Sequence, residues 1–137
     1  MKKFDELEEM IAHLRGPSGC AWKRQLTLKT LPKYSKEEFQ ELMTAIEKED
    51  WDNLKEELGD LMFHLLFYCQ LAKEQGKFTV EDVLNEIIEK MRRRNPHIYG
   101  SVKCTDLKEI ERVWEEIKQQ EKKEKKEKME KAEKIKK

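Results

Sequence analysis

What this chain lacks narrows it first. It has three cysteines, Cys20, Cys69 and Cys104, and no two of them are closely spaced. An odd, scattered set suits neither a disulfide framework nor a zinc site, so a reducing, intracellular setting is expected. Cys69 falls in an apolar helical run and should be buried; Cys20 and Cys104 should be more exposed. No apolar stretch approaches the roughly 20 residues of a membrane span, and MKKFDELEEM has no apolar region behind its lysines. Neither an anchor nor a signal peptide is therefore expected, and the expected compartment is the cytoplasm. Net charge is absent too, since 29 Lys and Arg balance 29 Asp and Glu. The balance hides a division: residues 119–137 hold nine Lys and five Glu, which leaves residues 1–118 at net −4. A mildly acidic body has no general electrostatic footprint for nucleic acid.

What is present is helical periodicity. A chain of 137 residues fits one domain, with residues 1–118 as its body and 119–137 as a charged tail that extends the last helix or frays. Phe4, Leu7, Ile11 and Leu14 make one stripe of a short helix over residues 3–14. Gly16, Pro17, Ser18 and Gly19 then open a connection of about twenty residues, long for two packed helices. Ser35 with Glu38 reads as a capping box that starts the second helix. Asp50, with Asn53 three residues on, starts a third that Gly76 stops. Thr79 with Asp82 starts a fourth, whose apolar face is Val83, Leu84, Ile87, Ile88 and Met91 and which Pro96 ends. A last amphipathic helix runs from Asp106 to about Gln119.

The stretch from Ser35 to Gln70 organises the rest. Leu42, Met43, Ile46, Leu54, Leu58, Leu61, Leu65 and Leu66 should face a core. Carboxylates recur with equal order: Glu38 and Glu41 on one helix, Glu57 and Asp60 on the next. A step of three residues leaves neighbours about 60° apart around the axis, so each pair shares a face. If the two helices pack antiparallel, four carboxylates converge and require a counter-ion, for which a hard divalent cation such as Mg2+ is the candidate. Gly59, between Leu58 and Asp60, allows a close helix approach there or is an accident without structural purpose. Other residues keep two readings. Trp22 is a loop anchor or a stacking surface for a base. Lys90, Arg92, Arg93 and Arg94 complement a helix carboxyl end or bind phosphate beside His97 and Tyr99; for Arg92 a plain surface position is the default. His64 is a hydrogen-bond partner to the ligands or itself a nitrogen ligand. Acidic residues at helical spacing also occur as a merely solvated face, and a non-catalytic helical interaction module is the alternative function.

Taken together, GCAW (19–22), EEFQE (37–41), EELGDLMFHLLFYCQ (56–70) and RRRNPHIYG (92–100) resemble the MazG family of nucleoside triphosphate pyrophosphohydrolases. The resemblance covers residues 4–118 in unbroken order. It implies an all-α, four- to five-helix bundle-like fold assembled across a homodimer or a higher homo-oligomer. It implies Mg2+-dependent cleavage of nucleoside triphosphates between the α and β phosphates, with Mn2+ as a substitute, or a house-cleaning activity restricted to modified nucleotides. Carried over residue by residue, the metal ligands are Glu38, Glu41, Glu57 and Asp60. Glu37 is the weaker candidate for a ligand or for the base that takes the water's proton. Trp22, Lys90, Arg93, Arg94, His97 and Tyr99 would meet the substrate. Many relatives have Pro and then Trp-Asp where this chain has Ala21-Trp22-Lys23, a departure that touches base selection and loop conformation.

Overall fold

The computed structural model describes residues 2–101, 103 and 106–136; Cys104, expected to be an exposed thiol, lies outside them. Every regular element among the described residues is helical: α1 (Lys2–Leu14), α2 (Ala21–Gln25), α3 (Leu31–Glu47), α4 (Trp51–Glu74), α5 (Val80–Arg94), α6 (Pro96–Tyr99) and α7 (Leu107–Lys136). None is long and apolar enough to cross a membrane. The chain forms two compact units, residues 1–82 and 83–137.

In the first unit, α4 is the spine and α1 and α3 pack against it. Its core is Ile11 from α1, Leu26 just past α2, Leu31 at the start of α3, and Leu66, Phe67 and Leu71 from α4. Arg15, just past α1, ties three elements together. Its Nη1 donates to the carbonyls of Lys23, Arg24 and Leu26 at 2.8–3.0 Å. Nε and Nη2 donate to the two carboxylate oxygens of Glu74 at 3.0 and 2.7 Å. The guanidinium also lies 5.6 Å from the centre of the Phe67 ring. Gly19 is required by the turn that precedes α2, because a Cβ there would sit 2.2 Å from the His13 carbonyl oxygen.

Three sequence expectations hold for local reasons. Asp50 caps α4 by accepting from the Asn53 N–H at 3.2 Å. Gly76 stops the chain in the left-handed region at φ 67°. Thr79 and Asp82 cap α5 reciprocally.

Others are corrected. The Ser35–Glu38 capping box does not exist, because α3 begins four residues earlier, at Leu31, with Pro32 in its first turn. Proline is tolerated there, where no intrahelical partner awaits its missing N–H. Thr27 and Thr30 hold that entrance instead, each side-chain oxygen accepting from the other residue's N–H at 3.3 and 2.9 Å. The long connection is likewise interrupted by α2. Nor does Gly59 mark a close helix approach, since a Cβ added there meets nothing within 4 Å. Gly59→Ala is therefore expected to stabilise the chain by about 1 kcal/mol, the helix-propensity difference alone; a thermal melt showing a loss would overturn this.

The expected core-facing set also divides. Leu42 and Leu66 are buried, whereas Ile46, Leu58 and Leu65 are about half exposed. Trp51, Leu58, Met62 and Leu65 fall at spacings of seven, four and three, which is one stripe of α4, turned away from α1 and α3. In the second unit Val83, Leu84, Ile87 and Ile88 are 40–47% exposed. There Glu121 of α7 receives both Arg93, at 2.6 Å, and Arg94, at 2.8 Å, and Arg94 stacks over Trp114 at 5.3 Å. The tail, expected to extend the last helix or fray, continues α7 to Lys136.

Candidate metal centre

The register of α3 against α4 builds the site. Glu38 and Glu41 meet Glu57, while Ser35, lower in number, meets His64 and Tyr68, higher in number. Numbers rising on one helix and falling on the other define an antiparallel pair. One oxygen each of Glu38, Glu41 and Glu57 lies within 4.8 Å of the other two. Glu41 is exposed, Glu38 half-buried and Glu57 only 6% exposed. Glu38 Oε2 and Glu57 Oε2 are buried with no hydrogen-bond partner.

Bringing three carboxylates together out of water disfavours their ionised forms. The Glu57 carboxyl is pushed up to about 7, first by burial and then by the close approach of the Glu38 and Glu41 carboxylates and their charge. Glu38 is also raised, first by burial, with the neighbouring Glu57 carboxyl opposing the rise and the charges of Asp60 and Glu41 adding to it. Two buried carboxylate oxygens without partners, in an all-oxygen set, fit a hard divalent cation such as Mg2+. Asp60, the fourth expected ligand, is half-buried on α4 and acts on Glu38 through its charge, but stands outside the close group. Glu37 is exposed and also outside it.

One turn from the triad lies a polar network that sequence reasoning missed. Ser35 Oγ is 2.8 Å from His64 Nδ1 and 2.7 Å from the Tyr68 hydroxyl. Burial, and then the nearby Lys23 ammonium, lower the His64 pKa, opposed by the charge of Asp60. The available signal was register: once Glu38 faces Glu57 in an antiparallel pair, position 35 must face the turn of 60–64. Lys23 rests 4.5 Å from the Trp22 ring centre and 5.5 Å from that of Phe63. Lys23 therefore pins α2 onto α4 through cation–π contacts.

The remaining candidates, Lys90, Arg93, Arg94, His97 and Tyr99, belong to the second unit. Lys90, Arg94 and His97 are half-buried and Arg93 is exposed; Tyr99 is 66% exposed.

Comparison with known proteins gives this geometry a family. A model of the MazG nucleotide pyrophosphohydrolase domain matches residues 26–99, which include every carboxylate of the triad. The Thermotoga maritima nucleoside triphosphate pyrophosphohydrolase/pyrophosphatase MazG is 43% identical over 119 residues, 87% of this chain and 45% of that protein. The Escherichia coli nucleoside triphosphate pyrophosphohydrolase is 38% identical over 123 residues, 89% of this chain and 47% of that protein. The chain thus spans less than half the length of these relatives. A crystal structure of a mazG-related protein from Thermotoga maritima superposes with a TM-score of 0.70 at 28% identity, covering 87% of this chain and 99% of that one. On this evidence the chain belongs to the MazG nucleotide pyrophosphohydrolase family, and its all-α fold is the fold of that family.

Proposed function

We propose that the chain hydrolyses nucleoside triphosphates between the α and β phosphates, giving a nucleoside monophosphate and pyrophosphate. The observation that carries the reading is the Glu38–Glu41–Glu57 triad with its two buried, unpartnered oxygens. Glu38, Glu41 and Glu57, with Asp60 beside them, would hold Mg2+ or, in its place, Mn2+. A bound divalent cation supplies a more acidic water and offsets charge on phosphoryl oxygens. Glu37 lies about 100° around α3 from Glu38, and in this reading it takes the water's proton or lends a further oxygen. Lys90, Arg93, Arg94 and His97 are the proposed phosphate ligands, guanidinium forks matching phosphate oxygens in pairs. Tyr99 contacts the sugar and Trp22 the base.

In the same reading, residues 1–118 are the catalytic body and 119–137 an appended charged helix. The protein works in the cytoplasm and binds neither nucleic acid nor membrane. It assembles as a homodimer, because the exposed stripe of α4 and the apolar face of α5 need cover and a closed symmetric pair is the commonest way to supply it. Sedimentation is expected to show a dimer; a monomer at working concentration would remove that part.

The deciding experiment is a panel of canonical and of oxidised or methylated nucleoside triphosphates, with Mg2+ or EDTA, scored for both phosphate products. Pyrophosphate alone is expected, and only with the metal present. Orthophosphate as the first product contradicts α–β cleavage. Turnover confined to the altered bases assigns a house-cleaning role. A chain that turns over nothing and shows no saturable Mg2+ site by calorimetry is an interaction module.

A further inference from the structure

The last helix stops burying side chains at one residue, and that residue is charged. Residues 122–135 of α7 are exposed throughout, so Glu121 closes the half-buried part of the helix. Both of its carboxylate oxygens are taken by α5. Oε1 accepts from Arg93 Nε at 2.6 Å, and Oε2 accepts from Arg94 Nη2 at 2.8 Å and from its Nε at 3.2 Å. Arg94, only 15% exposed, also lies over the Trp114 ring of α7. Neither arginine meets another carboxylate among the described residues.

Three N–H donors from two guanidiniums, set around a pair of oxygens, receive a phosphoryl group as readily as a carboxylate. The arginines, Arg94 foremost, hold the Glu121 carboxyl below the usual carboxylate range, so at neutral pH it fills that place as an anion. Its hold is limited in two ways. Arg93 is 53% exposed, and an ion pair that water reaches is weak. Glu121 also stands seven residues past Trp114, about 10 Å along the axis. It can therefore part from the arginines while Trp114 and the apolar face before it keep their places. A carboxylate competes here with one charge and two oxygens, whereas a chain of phosphates offers several of each.

We propose that Glu121 is a built-in competitor for the phosphate-binding arginines. While it holds Arg93 and Arg94 the chain takes triphosphate weakly; a polyphosphate that reaches them displaces it and frees the adjoining turn of α7. The proposal rests on the reading above that assigns Arg93 and Arg94 to substrate phosphate. It adds a regulator to that site, carried on the charged part of α7.

The test has two arms so that each reading can fail by itself. In the first, kcat and KM for a nucleoside triphosphate are measured with Mg2+ for the unaltered chain, Glu121→Gln and Glu127→Gln. Glu121→Gln keeps the shape of the side chain and removes its charge. Its KM is expected to fall about tenfold, the scale of one hydrogen bond to a charged group, with kcat unchanged. Glu127→Gln removes the same charge from an exposed turn of α7 and is expected to leave KM as it was. A KM unchanged or raised in Glu121→Gln would make the contact a structural tie and overturn the proposal. An equal fall in Glu127→Gln would assign the effect to overall tail charge and overturn it too.

In the second arm, metal-free protein is titrated with inorganic tripolyphosphate while the Trp114 indole N–H is followed by NMR, its signal identified with Trp114→Phe. A saturable shift is expected, with an affinity about tenfold higher in Glu121→Gln. In the unaltered chain, amide exchange around Glu121 is expected to quicken once the anion is bound, a readout that decides the matter even if the variant folds poorly. These results support the competitor even if no triphosphate is hydrolysed, in which case only the enzymatic reading fails. Exchange that stays the same or slows at saturation would show that the anion and Glu121 do not compete. No shift at any concentration would show that the arginines take no polyphosphate, and either outcome ends the proposal.

Discussion

Glu57→Gln is expected to lower pyrophosphate release by ~10²–10³-fold, the usual cost of removing one electrostatic element of an active site. The same change is expected to stabilise the metal-free chain at neutral and higher pH. Both follow from one geometry. Glu57 is buried against Glu38 and Glu41, and its carboxyl is held near 7 from an ordinary value of 4.5. Between those values the unfolded chain has released the proton and the folded chain retains it. Stability therefore falls as pH rises from about 4.5 to about 7, and levels off above. Glutamine has no charge to confine, so the variant lacks this fall, and a divalent cation suppresses it in the unaltered protein. Thermal melts from pH 5 to pH 8, with Mg2+ and with EDTA, read the effect directly. Identical metal-free profiles for the two proteins would show that Glu57 does not carry the confined proton.

Arg15→Ala is expected to cost about 1–3 kcal/mol, the range for leaving buried hydrogen-bond acceptors without their donor. The side chain is only 12% exposed, and it serves three carbonyls at the end of α2 as well as Glu74. Without it those carbonyls lose their donor, and Glu74, held below the usual carboxylate range chiefly by the Arg15 hydrogen bond, loses its partner. Lysine is expected to rescue little, because a single ammonium cannot reproduce a planar fork of five donors. Urea titration of both variants gives the measurement. A loss under about 1 kcal/mol for alanine would mean that Glu74 and the carbonyls find water without penalty.

The features legible from sequence were those in which a few neighbouring residues decide the outcome. Asp50 with Asn53, Thr79 with Asp82, and Gly76 each act within one turn. The carboxylate cluster was legible because paired spacings on adjoining helices leave few ways to arrange them. The start of α3 was hidden because Pro32 reads as loop, while Ser35 and Glu38 imitate a cap. Ser35 instead spends its hydroxyl across the helix pair, on His64 and Tyr68. Periodicity showed that α4 has apolar residues, but not that Leu58 and Leu65 belong to a second face. Which stripe meets α3 depends on register, and register is a property of two helices at once.

The contact between Glu121 and the arginine pair has a consequence for any polyanion that approaches those guanidiniums. Such a ligand finds both already answered by a carboxylate of the same polypeptide, so its arrival is an eviction rather than an addition. The vacated glutamate must then be rehydrated, and the turn of α7 that bears it is left untethered.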